Sequence, residues 1–123
     1  MDQISKNLLG SVTVAEDAAE NIKKYVRNIS DLGKKIKESV NQSVTNLLET
    51  ILFGAIVLES SDIHIEPQQD QIRLRIRIDG VLQDVVFFQE DVYRNLLSRL
   101  KLLSKLKLNI TEKPQDGRFS IAV

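Results

Sequence analysis

Residues 60–82 read SSDIHIEPQQDQIRLRIRIDGVL, and the way this stretch pairs with itself decides the fold. Ile63 and Ile65 alternate with Asp62, His64 and Glu66; farther on, Ile72, Leu74, Ile76 and Ile78 alternate with Arg73, Arg75 and Arg77. A period of two is the signature of a strand with one apolar face, because successive side chains point to opposite sides of a sheet. With Gln69-Asp70 as a two-residue loop, the shortest common connection, Glu66 falls opposite Arg73, His64 opposite Arg75 and Asp62 opposite Arg77. The same register pairs Ile65 with Leu74 and Ile63 with Ile76. A slip of one residue would set arginine against isoleucine along the whole hairpin, so the pattern selects this register.

Asp79-Gly80 is the strongest short hairpin signal in the chain, a pair able to take the positive φ angles of a type I′ turn. A third strand, VLQDVVFF, follows directly. Continued without irregularity, its register sets Arg75 between His64 and Asp84, Arg77 beside Leu82 and Arg73 beside Val86. Val81, Val85 and Phe87 then join the apolar face, while Leu82, Val86 and Phe88 share the arginine face. On that register the arginine face calls for cover by the N-terminal helix, by more chain or by another subunit.

Upstream, apolar residues at Ala18, Ile22, Tyr25 or Val26, Ile29, Leu32, Ile36 and Val40 step by three and four, which is a narrow helical stripe in a lysine-rich surface. Gly33 lies inside it and costs about 1 kcal/mol relative to alanine, so a bend or break is expected there. Val44, Leu47, Leu48, Ile51, Leu52, Ala55, Ile56 and Leu58 form a wider face at the same period, predicting a more buried helix. Downstream, Val92, Leu96, Leu97, Leu100, Leu103 and Leu106 predict another helix, with Arg94, Arg99, Lys101 and Lys105 opposite. The last segment, NITEKPQDGRFSIAV, reads as a turn-rich loop followed by a strand opening at Phe119, which suggests a chain cut short.

The chain has 123 residues, room for one domain with a real core. Lysine plus arginine equals aspartate plus glutamate at 17 each, so no global field draws it to nucleic acid, and the second strand carries no aromatics for base stacking. Cysteine is absent and histidine occurs once, which excludes disulfides, thiolate chemistry and the usual metal clusters. The longest apolar run falls far short of the roughly 20 residues that span a bilayer. No G-x-x-x-x-G-K-[ST], G-x-G-x-x-G, H-E-x-x-H or G-x-S-x-G is present, so no phosphate cradle, zinc site or nucleophile elbow can be assigned. His64 reads as a structural histidine, and the interleaved carboxylates read as ion-pair partners.

Three segments in order, SSDIHIEP, IRLRIRIDGVL and EKPQDGRFSI, resemble the N-terminal domain of the assembly ATPases of type II secretion and type IV pilus systems. The resemblance covers residues 41–123, and the third segment is shorter than usual between its lysine and proline. It implies an α+β, PAS-like fold: N-terminal helices, then an antiparallel β-meander with a helix packed on one face. Residues 1–40 would be a helical linker or docking segment, and residues 41–123 the PAS-like domain, incomplete at its C-terminal end. The implied role is that of a non-catalytic domain of a hexameric ATPase, packing against a RecA-like motor domain of the same or a neighbouring subunit. The parent family uses ATP and magnesium; with no P-loop, this chain is expected to hold neither by itself and to be no enzyme alone. Arg75, Arg77, Arg99 and Arg118 become interface or nucleotide-proximal candidates. His64, Glu66, Asp79, Gly80, Asp84, Asp116 and Gly117 become structural motif residues. A cytoplasmic location, peripheral contact with an inner-membrane platform protein, homo-oligomerisation and no nucleic-acid partner complete the expectation. The alternative is a free-standing PAS-like interaction or sensor module without ATPase activity.

Overall fold

The computed structural model describes residues 16–103 and 109–123. Three helices, α1 (Glu16–Tyr25), α2 (Ile29–Val40) and α3 (Val44–Val57), precede strands β1 (Asp62–Pro67), β2 (Ile72–Ile78) and β3 (Val81–Phe88). Helix α4 (Glu90–Leu103) then leads to β4 (Ile110–Lys113) and β5 (Arg118–Ala122). The strands form one antiparallel sheet in the order β3-β2-β1-β5-β4, and the fold is α+β.

The β1–β2 hairpin has the predicted register at every pair from Asp62↔Arg77 to Pro67↔Ile72. Gln68 N–H closes the two-residue loop on Gln71 O at 2.7 Å. Asp79 and Gly80 take φ of 52° and 82°, the two positive values that a type I′ turn requires. From there β2–β3 follows the regular register only as far as Arg75↔Asp84. A β-bulge at Val85 then shifts it, giving Leu74↔Val86, Arg73↔Phe87 and Ile72↔Phe88. The extra residue exchanges the two faces of the strand. Beyond it Val86 and Phe88 enter the core and Phe87 is exposed, the reverse of the sequence expectation, while Val81, before the bulge and beside the turn, is also exposed.

A second correction concerns the C-terminal segment. Residues 110–113 are a strand rather than part of a loop, and β5 is hydrogen-bonded on both sides, to β1 and to β4.

The N-terminal stripe is broken at Val26–Asn28 and not at Gly33. Asn28 Oδ1 accepts from Asp31 N–H at 2.8 Å and Asp31 Oδ2 accepts from Arg27 N–H at 3.1 Å, a reciprocal cap that starts a new helix. Gly33 sits in the middle of α2 because a Cβ there would lie 2.7 Å from the carbonyl oxygen of Val85. The helix thus touches the strand backbone at its bulge. Gly54 serves α3 in the same way: its missing Cβ leaves room for Leu32, which would stand 2.2 Å away. Ile22, Val26, Leu32 and Ile36 join Leu48, Ile51, Ile63, Ile65, Leu74, Ile76, Leu96 and Leu100 in one hydrophobic core, while Tyr25 is exposed. Helix α3 ends with Ser60 N–H on Ala55 O and Glu59 N–H on Ile56 O, a Schellman motif with Glu59 at φ 59° where glycine is usual. In α4, Leu96 and Leu100 are buried as expected, Tyr93 joins them, and the expected continuation through Leu106 lies outside the described residues.

Two substitutions should move stability in opposite directions, read as the urea midpoint at unchanged slope. Gly33→Ala should destabilise by about 1–3 kcal/mol through overpacking against rigid backbone, despite its better helix propensity. Glu59→Gly should stabilise by about 1 kcal/mol by relieving the left-handed backbone.

Candidate functional site

The polar side of the sheet brings the three sequence segments onto one carboxylate. β1 is the central strand, so a side chain on its outer face has neighbours on both flanks. Glu66 is only 6% exposed and receives Arg75 Nη2 from β2 at 2.7 Å, with Arg118 Nη1 from β5 at 3.8 Å. Arg118 is itself held by Asp116 at 2.9 Å in the Asp116-Gly117 turn. The turn is tied down in turn by Tyr93, whose hydroxyl donates to Gly117 O, with Gly117 at φ 68°. Burial first, and then the negative charge of Glu112, raises the Tyr93 pKa and keeps that donor protonated.

Arginine partners are set diagonally as often as directly. Arg77 Nε bonds its directly opposed Asp62 at 3.0 Å, but Arg73 Nε reaches Asp84 at 2.7 Å and Arg75 reaches Glu66 instead of the opposing His64 or Asp84. Long arginine side chains span such diagonals readily. Arg99 is not brought to this network: from α4 its Nη1 donates to Thr45 Oγ1 at 2.9 Å on α3. Asp79 and Gly80 shape the β2–β3 turn, where Arg77 Nη1 also reaches Gly80 O at 3.3 Å.

His64 bonds Asp62 Oδ2 through Nε2, and its Nδ1 lies 3.1 Å from Ser120 Oγ. The order serine, histidine, aspartate suggests a nucleophile triad, yet two features argue against one. Ser120 lies on β5, whose backbone is engaged by ladders on both sides, so no pair of free N–H groups exists there to stabilise an oxyanion. Asp62 is also shared among donors from Ser61, His64 and Arg77. Burial would raise the Asp62 pKa, but those hydrogen bonds and the fields of His64 and Arg77 outweigh it and hold the carboxyl below its ordinary value of 3.8. The network orients side chains; it does not activate a nucleophile.

The face remains partly open. Arg73 and Arg77 are about a third exposed, Asp84 is 47% exposed, and Phe87, carried here by the bulge, is 44% exposed. The Nε–H groups of Arg75 and Arg118 are buried and find no acceptor among the described residues. An exposed aromatic beside partly exposed guanidinium groups suits a partner that presents anionic groups and apolar surface. Phe87 and Tyr93 escaped sequence reasoning, the first because the bulge was invisible, the second because it lies beside the leucine stripe.

Comparison with known proteins gives the family. The family model described as "Type II/IV secretion system protein" matches residues 37–123. A protein transport protein HofB homolog of Haemophilus influenzae is 43% identical over 79 residues, 64% of this chain and 17% of that protein. The type IV pilus assembly ATPase PilB of Myxococcus xanthus is 35% identical over 105 residues, 85% of this chain and 18% of that protein. A type II secretion system protein E of Pseudomonas aeruginosa is 31% identical over 121 residues, 98% of this chain and 22% of that protein. The chain thus spans about a fifth of the length of the curated relatives it matches.

Removing Glu66 should be far costlier than removing Asp84. Glu66→Ala should destabilise by about 3 kcal/mol, the low end for breaking a buried pair because its guanidinium partners keep some water contact, whereas Asp84→Ala should stay under about 1 kcal/mol. Asp62, with its depressed pKa, contributes stability that is complete above its ordinary value and is lost as pH falls through the depressed one. Urea titrations from neutral pH into acid should show that loss in the wild type and a flatter acid limb in Asp62→Asn.

Proposed function

Since this chain belongs to the type II/IV secretion system protein family, we propose that it acts as a non-catalytic N-terminal module of a hexameric assembly ATPase. In this reading its sheet packs against a RecA-like motor domain and helps convert ATP hydrolysis into secretion or pilin-fibre assembly. The observation that supports it most is the convergence of all three motif segments on Glu66, which holds the partly exposed guanidinium groups of Arg75 and Arg118 on a half-open face.

The residues here fit one side of a shared phosphate site and not the whole of it. With no P-loop in the sequence, the cradle and magnesium ligands for ATP would come from the motor domain; this chain would supply guanidinium groups. Arg75 and Arg118, oriented by Glu66 and Asp116, are placed for that role, and Arg77 and Phe87 for the packing around it. Arg99, committed to Thr45, is a structural tie in this reading. We place the assembly in the cytoplasm, against the inner membrane through a platform protein, with other copies of the ATPase as partners. Among the described residues no helix is long and apolar enough to cross a membrane.

Binding to an isolated motor domain of a family member tests the reading. The full chain should bind that domain and show no ATP turnover of its own. Arg75→Glu together with Arg77→Glu should weaken binding at least about tenfold, while Arg94→Glu, on an exposed part of α4, should leave it unchanged. ATP turnover by the chain alone, or equal binding by the double variant, would refute it. Failure to bind any motor domain by a stable, monodisperse chain would favour a free-standing interaction module.

A further inference from the structure

Helix α3 is largely apolar and packs against α1, α2 and α4. Inside it lie a carboxylate and a hydroxyl, Glu49 and Thr50, only 7% and 3% exposed. The hydroxyls near this point are fully committed. Ser39 Oγ and Thr50 Oγ1 are hydrogen-bonded to each other at 2.9 Å, and the one that accepts donates in turn to its own helix carbonyl, Lys35 O at 3.0 Å or Asn46 O at 2.9 Å. Glu49 has no such arrangement: its carboxylate takes part in no hydrogen bond or ion pair among the described residues. Burial raises its pKa accordingly.

What Glu49 does face is a cleft of about 290 Å³ between α1, α2 and α3. The nearest cation lining it, Lys35, is already engaged, 3.7 Å from Glu38 and 5.5 Å over the Tyr25 ring. Asn46 spends its Nδ2 donor on Gln42, which leaves its own oxygen unused, and Asn21 brings another unengaged amide from α1. The cleft therefore holds one carboxylate without a partner, two unengaged amide oxygens, and a single lysine that is paired with Glu38. A lone buried carboxylate is costly unless a cation joins it.

We propose that this cleft is a binding site for an alkylguanidinium cation, with Glu49 as its anchoring carboxylate and the amide oxygens of Asn21 and Asn46 as secondary acceptors. A guanidinium group is preferred over an ammonium because its planar fork matches a carboxylate bidentately and still has donors left for the amides. The cation can come as a small free molecule or as an arginine side chain on a partner segment. The site lies among the helices, away from the sheet's polar face, and its existence does not depend on the role proposed for that face.

The test uses the full chain and three probes: ethylguanidinium chloride, a capped Gly-Arg-Gly peptide, and tetramethylammonium chloride as a charge control that cannot donate hydrogen bonds. Ethylguanidinium should shift the side-chain amide NMR signals of Asn21 and Asn46 saturably, and tetramethylammonium should not. Glu49→Gln should reduce that affinity at least about tenfold while raising the urea midpoint, because it removes a buried unpaired charge; loss of binding is then not loss of fold. Affinity should also fall as pH drops through the raised Glu49 pKa, since only the carboxylate form binds. Comparable binding by ethylguanidinium and the peptide identifies a small cation as sufficient; markedly tighter binding of the peptide identifies an arginine from a partner. Undiminished affinity in Glu49→Gln, an equal response to tetramethylammonium, or no saturable shift with either guanidinium probe would overturn the proposal.

Discussion

The polar side of this molecule depends on one carboxylate with charged neighbours on two flanks. Glu66 occupies the central strand, where its side chain has neighbours on both flanks. Arg75 arrives from β2 and Arg118 from β5, and the turn that carries Arg118 is fastened to α4 by Tyr93. Buried ion pairs add little net stability against a well-packed apolar replacement, but breaking one is expensive. The gain here is geometric, since a single acid fixes the orientation of two guanidinium groups drawn from segments more than forty residues apart in sequence. The opposite face of the same strand has no such polarity: Ile63 and Ile65 are fully buried beneath the helices.

The sequence specified β1 and β2 well because two constraints coincided. Apolar had to meet apolar and acid had to meet base, and only one register met both conditions. It specified β3 poorly for the converse reason. VLQDVVFF carries apolar residues at both parities, so alternation could not locate the bulge, and contact with Gly33 of α2 at Val85 is a tertiary fact with no local mark. The helix break has a local mark, the cap formed by Asn28 and Asp31, whereas Gly33, despite its low helix propensity, serves close packing. Strand β4 is short and mostly exposed, so its pattern carried little signal until β5 paired with it.

For the functional residues the division is similar. Glu66, Arg75 and Arg118 could be named from the sequence, yet their convergence could not, because the β1–β5 pairing links residues separated by a helix and an intervening hairpin. Arg99 shares only its residue type with them and belongs to a different contact, the α4–α3 tie through Thr45. Residue type proposes a role; strand order decides which groups can share it.

Two glutamates show what burial alone does not determine. Glu66 and Glu49 are nearly equally hidden, at 5% and 7% exposure, and the sequence presents each amid apolar neighbours. Around Glu66 the sheet has supplied guanidinium groups from both sides, so its charge organises structure that already exists. Around Glu49 the three helices have supplied amides and committed hydroxyls but no free cation, so its charge is uncompensated by any described residue. Burial raises the pKa of such a group, and protonation or a bound cation relieves it. The first glutamate therefore accounts for rigidity, and the second marks where this otherwise well-packed molecule still has binding energy to offer.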